Sequence, residues 1–263
     1  IVIFCYICLT NRSQIYMQKT KLLLGVIIVL TITFLGFQIF GLQDAGNLVR
    51  PLLLPLLTIL YCISNKCKKS YFFYFLVLYS ISEFSGVFFP LAENSILIDN
   101  ILYYGGNLLY IAAYCCLSIG ILKRMNLHSI FNRFPFHIII LIALDIYSII
   151  LVTDTAYQSD FLYGIIDYLI ELLYNTSIMF LLTVALINYI SRDSKKAMNL
   201  LLGAICIVFS EVIQVAYFYV SEKNILSIVY SILLVFAFGF FYIQSSMSYM
   251  KAKKYEVLEK LKA

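Results

Sequence analysis

Two serine–glutamate pairs lie inside long apolar stretches of this chain, Ser82 with Glu83 and Ser210 with Glu211. An acidic side chain at the centre of a membrane-spanning helix costs roughly 2.5–3.5 kcal/mol on insertion scales, so such residues are rare and usually functional. A buried carboxylic acid that keeps its proton can act as a general acid, and a second carboxylate can activate water or stabilise a cation. Glu83 and Glu211 are therefore the candidate catalytic residues.

Other polar residues are expected at a similar depth. Asp167, Glu171 and Asn175 are four residues apart and form a stripe on one helix face, and Asp145 lies near the middle of its helix. Because acidic side chains avoid lipid, we expect them to line a cavity open toward the outer leaflet. Several carboxyl groups near a single guanidinium cannot all ionise, so at least one should stay protonated. The candidate substrate-binding residues are Arg50, Asn107, Asp167, Glu171 and Gln214.

A structural role for these acids is the alternative. Buried carboxyl groups can also hold a membrane bundle together by bonding to backbone groups or tyrosine hydroxyls. The chain contains 22 tyrosines, most of which are expected in the interfacial belt and in packing. The sequence assigns no role to any single tyrosine.

The composition predicts the class of protein that positions these residues. The chain is 62% hydrophobic and 13% charged, with mean hydropathy +0.92, whereas a soluble domain is about half apolar and a quarter charged. An integral membrane protein follows, with no separate soluble domain. Runs of spanning length predict an all-α bundle of eight transmembrane helices. They cover roughly 22–43, 49–64, 71–90, 99–122, 135–153, 161–190, 197–220 and 224–246.

The basic residues predict the topology. All of the 19 Lys and Arg residues except Arg50 and Lys223 fall on one side of the predicted helices. By the positive-inside rule both termini are cytoplasmic, and we expect a multi-pass protein of the cell membrane. We assign residues 17–250 to the transmembrane domain and 251–263 to a basic cytoplasmic tail. The sequence from Met17 onward resembles the usual start of a membrane protein. We therefore expect residues 1–16 to be an extension that is not native.

The sequence also argues against several kinds of chemistry. The two histidines, His128 and His137, are predicted near the cytoplasmic side, away from the acids, so we expect no metal site. No phosphate-binding loop or nucleophile elbow occurs, and we expect no cofactor. The net charge of +5 is divided among short loops, which argues against a nucleic-acid partner. The expected partner is a membrane lipid or lysophospholipid, and no soluble protein partner is evident.

The layout resembles the YhhN family of eight-helix membrane proteins, which includes the lysoplasmalogenases. Family motifs are similar to Arg50-Pro51-Leu52, to Ser80-Ile81-Ser82-Glu83, to Asn107-Leu108-Leu109-Tyr110 and to the stretch from Gly203 to Glu211. This chain has glutamate where the family has two aspartates, Ser82 in place of a glycine and Asn107 in place of a histidine.

The resemblance implies hydrolysis of the vinyl-ether bond of lysoplasmalogens. Glu83 and Glu211 would then form the acid/base pair, and Arg50 would bind the lipid phosphate. The alternative is a non-catalytic lipid-binding protein or a proton-coupled transporter that uses the same buried acids.

Overall fold

The computed structural model describes residues 2–64, 70–88, 96–126, 128, 130–131, 135–157, 164–221 and 223–247, without the side chains of 2–19, 43, 96 and 137. The predicted tail at 251–263 lies outside the described residues. Eight long helices make up the described chain. They are α1 (Val2–Ile39), α2 (Gln43–Ser64), α3 (Tyr71–Ser85), α4 (Ile96–Leu122), α5 (Pro135–Tyr157), α6 (Ile165–Arg192), α7 (Lys195–Tyr219) and α8 (Asn224–Ser246).

Eight helical segments, one for each helix, are long and apolar enough to cross a membrane, and the segment of α3 includes the 3-10 turn Gly86–Phe88 that follows the helix. The predicted all-α, eight-helix membrane bundle is confirmed. Since successive helices are antiparallel, Ile39, Gln43, Phe88 and Ile96 share one end of the bundle. We name it the outer end after the charge-based prediction.

Seven of the helices pack in a closed order. Neighbours along this ring are α1, α2, α3, α4, α6, α7 and α8, and α8 returns to α1, while α5 packs against α6 and α7. The ring encloses an apolar core to which α2, α3, α4, α6, α7 and α8 contribute buried side chains, among them Leu60, Phe75, Leu181 and Phe241. Polar groups within this ring are therefore held away from lipid.

The start of α2 differs from its prediction. The helix begins at Gln43 rather than at residue 49, and it contains Pro51 and Pro55. Gly41, with φ +73°, makes the tight turn that α1 needs in order to join α2 so early. Arg50 consequently lies about 10 Å along α2, at 1.5 Å per residue. The predicted range 49–64 would place Arg50 at the end of the helix, whereas the structure places it within the bundle.

Two serines begin helices that carry the acids. Ser70 accepts a hydrogen bond from Phe73 N at the start of α3, and Ser194 accepts one from Ala197 N at the start of α7. Such N-caps satisfy backbone donors that the helix leaves free. Ser82 then donates to Gly106 O at 2.8 Å, which ties α3 to α4 beside Glu83.

Candidate functional site

Arg50 and Glu83 form a two-pronged ion pair between α2 and α3. Arg50 Nε donates to Glu83 Oε2 and Nη2 donates to Oε1, both at 2.9 Å. The side chains are 18% and 5% exposed, respectively. Tyr110 from α4 donates to the same Oε1 at 3.0 Å. A guanidinium matches a carboxylate in this geometry, so the pair fixes the orientation of both groups.

Glu211 has a different environment. Its Oε1 accepts hydrogen bonds from Tyr114 OH at 3.0 Å and from Tyr79 OH at 3.4 Å. The carboxyl group thus accepts hydrogen bonds from phenolic hydroxyls of α3 and α4, whereas Glu83 is bound to a cation. The two predicted catalytic residues are not equivalent.

Four tyrosines connect the two glutamates, and we call Tyr79, Tyr110, Tyr114 and Tyr174 the tyrosine cluster. Tyr79 lies 4.7 Å from Tyr110 and 5.9 Å from Tyr114 between ring centroids. Tyr174 lies 6.0 Å from both Tyr110 and Tyr114. All four contacts are edge-to-face, a favoured arrangement for aromatic rings. The four rings therefore form a continuous packed connection between Glu83 and Glu211.

Sequence reasoning missed this cluster. Its signal is helical spacing, since Tyr79 lies one turn before Glu83, and Tyr110 lies one turn before Tyr114. Residues four apart share a helix face, so each pair predicts a common polar face. In a chain with 22 tyrosines that signal is weak.

A polar cavity of about 400 Å³ opens between α2, α3 and α4, and we call it the polar chamber. Arg50 and Glu83 line it on one side. The remaining polar lining comes from Asn47, Ser82, Ser85, Tyr103, Asn107 and Tyr110. Asn107, a predicted substrate-binding residue, is thus placed beside the ion pair, although its Nδ2 also donates to Tyr103 O at 3.0 Å.

A second cavity, of about 280 Å³, lies between α1, α2 and α8 and is almost entirely apolar. We call it the apolar groove. Arg50 and Glu83 line this cavity too. The ion pair therefore separates a polar compartment from an apolar one. Glu211 lines neither cavity.

The predicted residues on α6 lie elsewhere. Asp167 accepts a hydrogen bond from Tyr104 OH at 2.6 Å, and Glu171 accepts one from Tyr219 OH at 3.3 Å. Both carboxyl groups lie near the outer end of α6, where tyrosine hydroxyls bind them, and they line neither cavity. Gln214 is half-buried on α7 and also lines neither cavity.

Asp145 is separate from the other acids. It accepts a hydrogen bond from Thr183 Oγ1 at 2.6 Å, and Thr183 lies about 18 Å further along α6 than Glu171. The expected convergence of five acids at one depth is wrong for Asp145. Because α5 packs on the outside of the ring, Asp145 contacts Thr183 rather than the other acids.

A metal site requires side chains that can bind one ion together. Among the residues that the structure describes, no group of three or more His, Cys, Asp or Glu side chains is placed to hold an ion. The carboxyl, guanidinium and phenol groups of this site can transfer protons and stabilise charge.

No family model, curated protein or solved structure matches the chain. The relation to the YhhN family stays a prediction from the motifs.

Proposed function

We propose that this chain is a YhhN-like protein of the cell membrane that hydrolyses the vinyl-ether bond of a lysoplasmalogen, a single-chain phospholipid. The observation that carries the proposal is that Arg50 and Glu83 line both the polar chamber and the apolar groove. A bound amphiphile would place its headgroup in the first and its chain in the second. Its vinyl-ether bond, which joins the two parts, would then lie near Glu83.

The reaction needs an acid and a water molecule. A proton adds to the alkenyl carbon remote from oxygen and gives an oxocarbenium ion. Water adds to that cation and loses a proton, and the resulting hemiacetal collapses to an aldehyde and a glycerophospho-alcohol. A carboxyl group beside the bond can deliver the first proton and then stabilise the cation as a carboxylate.

Arg50 has two roles in this proposal. At rest it binds Glu83, and an anionic headgroup that binds the guanidinium would draw it away from the carboxylate. Glu83, released from its counterion and lying beside the alkenyl carbon, would then be available as the acid that the reaction requires.

Glu211 would act through the tyrosine cluster rather than by contact with substrate. It holds the hydroxyls of Tyr79 and Tyr114, and their rings pack against Tyr110 or Tyr174. Tyr110 in turn donates to Glu83. Glu211 therefore positions the group that holds Glu83, and its predicted direct part in acid/base catalysis remains a prediction.

The test is aldehyde release from a lysoplasmalogen by the purified protein in vesicles. The saturated 1-alkyl-ether analogue is the substrate control, because it lacks the double bond that accepts the proton. Glu83→Gln should lower the rate at least about 100-fold, in line with loss of a general acid. Asp145→Asn is the matched control, since Asp145 lies apart from both cavities, and it should retain the parent rate. Absence of aldehyde from the parent protein, or full activity of Glu83→Gln, would remove the hydrolase proposal.

One observation favours a non-catalytic lipid-binding protein or a proton-coupled transporter instead. Glu211 lines neither cavity and bonds to tyrosine hydroxyls, as a structural or proton-relaying acid would. Such a protein would bind the lysolipid without aldehyde release. A transporter would in addition acidify or alkalinise vesicles, reported by a pH-sensitive dye, when the lipid is added.

A further inference from the structure

The apolar groove has charged atoms at one end only. Its lining includes Thr31 and Tyr242, but the Thr31 hydroxyl donates to Ile27 O at 2.8 Å, and the Tyr242 hydroxyl is hydrogen-bonded to Ser64 at 3.3 Å. Their hydroxyls are thus already satisfied. The charged pair Arg50 and Glu83 lies at the outer end of the groove, and apart from these two hydroxyls the rest of the lining is hydrocarbon.

The dimensions of the groove suit one chain. It follows α8 from Leu234 to Tyr242 and α2 from Arg50 to Leu57, which is about 10–12 Å of helix. Its volume of about 280 Å³ is at the small end of ligand pockets, which range over roughly 300–1,000 Å³. Two acyl chains side by side would not fit.

Gly239 on α8 leaves the groove open. It lines the cavity, and no heavy atom lies within 4 Å of the position that a Cβ would occupy there. Because Gly239 is exposed and lines the groove, a larger side chain at this position would occupy open space at the groove without meeting a neighbour. No packed neighbour therefore requires a glycine here.

We propose that the apolar groove binds the single hydrocarbon chain of an amphiphile whose headgroup phosphate binds Arg50, and that Gly239 determines how far the chain can enter. The occupant is a single-chain lipid rather than bulk bilayer, because the groove ends on a charged pair that also lines the polar chamber. The inference rests on the proposed function for the headgroup end, but it concerns binding and is independent of turnover.

The chain-length preference follows from the environment that the chain leaves. From water, each methylene that enters the groove raises affinity about four-fold, equivalent to about 0.8 kcal/mol. From a bilayer this gain disappears, because lipid tails are as apolar as the groove. Selectivity inside a membrane should therefore come from fit, and a side chain at position 239 should change it.

Photo-crosslinking of the full chain in phosphatidylcholine vesicles tests the proposal. The probe is a saturated 1-alkyl-glycerophosphocholine with a diazirine at the chain end, and mass spectrometry locates the adducts. We expect adducts on groove-lining parts of α1 and α8 that a ten-fold excess of unlabelled lysolipid reduces at least five-fold. Gly239→Leu should lower these adducts at least five-fold. Gly25→Leu is the matched control, because that glycine is exposed on α1 and also has no atom within 4 Å of an added Cβ; it should leave the adducts unchanged.

Two outcomes would overturn the inference. Adducts spread over the lipid-facing sides of α1, α5 and α8 without competition would mean that the groove holds ordinary bilayer lipid. Equal labelling in Gly239→Leu and the parent protein would mean that the chain does not pass position 239. Competed, Gly239-dependent labelling without aldehyde release would support the groove and remove the hydrolase proposal, so the two failures are distinguishable.

Discussion

Breaking the pair between Arg50 and Glu83 should destabilise the protein more than removing it altogether. Glu83→Gln leaves a buried guanidinium without its counterion, and Arg50→Met leaves a buried carboxylate without its own. Loss of one partner of a buried ion pair typically costs about 3–5 kcal/mol. Because Arg50 keeps 18% of its side chain exposed, we expect about 3 kcal/mol for each single variant.

The double variant Arg50→Met with Glu83→Gln should be more stable than either single variant. Neither unpaired charge remains in it, Met fills a volume similar to that of Arg, and Gln still accepts the hydrogen bond from Tyr110. Replacement of a buried ion pair by uncharged groups is often close to neutral. The double-mutant cycle should therefore show a coupling energy of at least about 3 kcal/mol between the two positions.

The assay is unfolding of the purified protein in mixed micelles by increasing sodium dodecyl sulfate, followed by far-ultraviolet circular dichroism. Asp145→Asn serves as the control, since its partner Thr183 can also donate to an amide oxygen, and it should cost less than about 1 kcal/mol. Single variants that each lose less than about 1 kcal/mol, or losses that simply add in the double variant, would refute the reasoning.

Three further predictions concern the tyrosine cluster, the helix packing and the topology. Tyr114→Phe removes a hydrogen bond to Glu211 and should lower the free energy of unfolding by about 1–3 kcal/mol in the same assay; no loss would mean that the bond does not form. A Cβ at Gly203 would lie 2.5 Å from atoms of the Phe241 ring, so Gly203→Ala should cost about 1–3 kcal/mol by overpacking. Gly105→Ala, with nothing within 4 Å, should cost none, and equal losses in the two variants would contradict the packing. In a bacterial host, green fluorescent protein inserted at 65–69 should fluoresce and alkaline phosphatase fused at 158–163 should be active, as the positive-inside rule requires; the reverse pattern would invert the bundle.

The fold was largely accessible from the sequence. Spanning helices are recognised by length and hydropathy, and α4, α7 and α8 begin and end within three residues of their expected limits. The start of α2 differs, because the helix was predicted to begin at residue 49 and begins at Gln43. A proline is tolerated further inside α2, and the turn at Gly41 allows the helix to begin at Gln43.

The site was only partly accessible. Glu83 and Arg50 stood out because charge in an apolar span is costly, and the structure brings them together. The separation of Asp145 from the other acids depends on which helices are neighbours, and hydropathy does not encode helix order. The tyrosine cluster was hidden for a related reason, since one tyrosine in an apolar helix looks like another until its hydroxyl has a partner.

The central claim is that a carboxyl group beside Arg50 protonates the alkenyl carbon of a bound vinyl-ether lipid. Its most direct test is turnover of lysoplasmalogen by the purified protein in D₂O. The aldehyde is trapped at once as a hydrazone, and its mass is measured by mass spectrometry. The account predicts an aldehyde that carries a single deuterium on the carbon next to the carbonyl, and at least about 100-fold less of it from Glu83→Gln. No aldehyde, or an aldehyde without deuterium at that carbon, would contradict it.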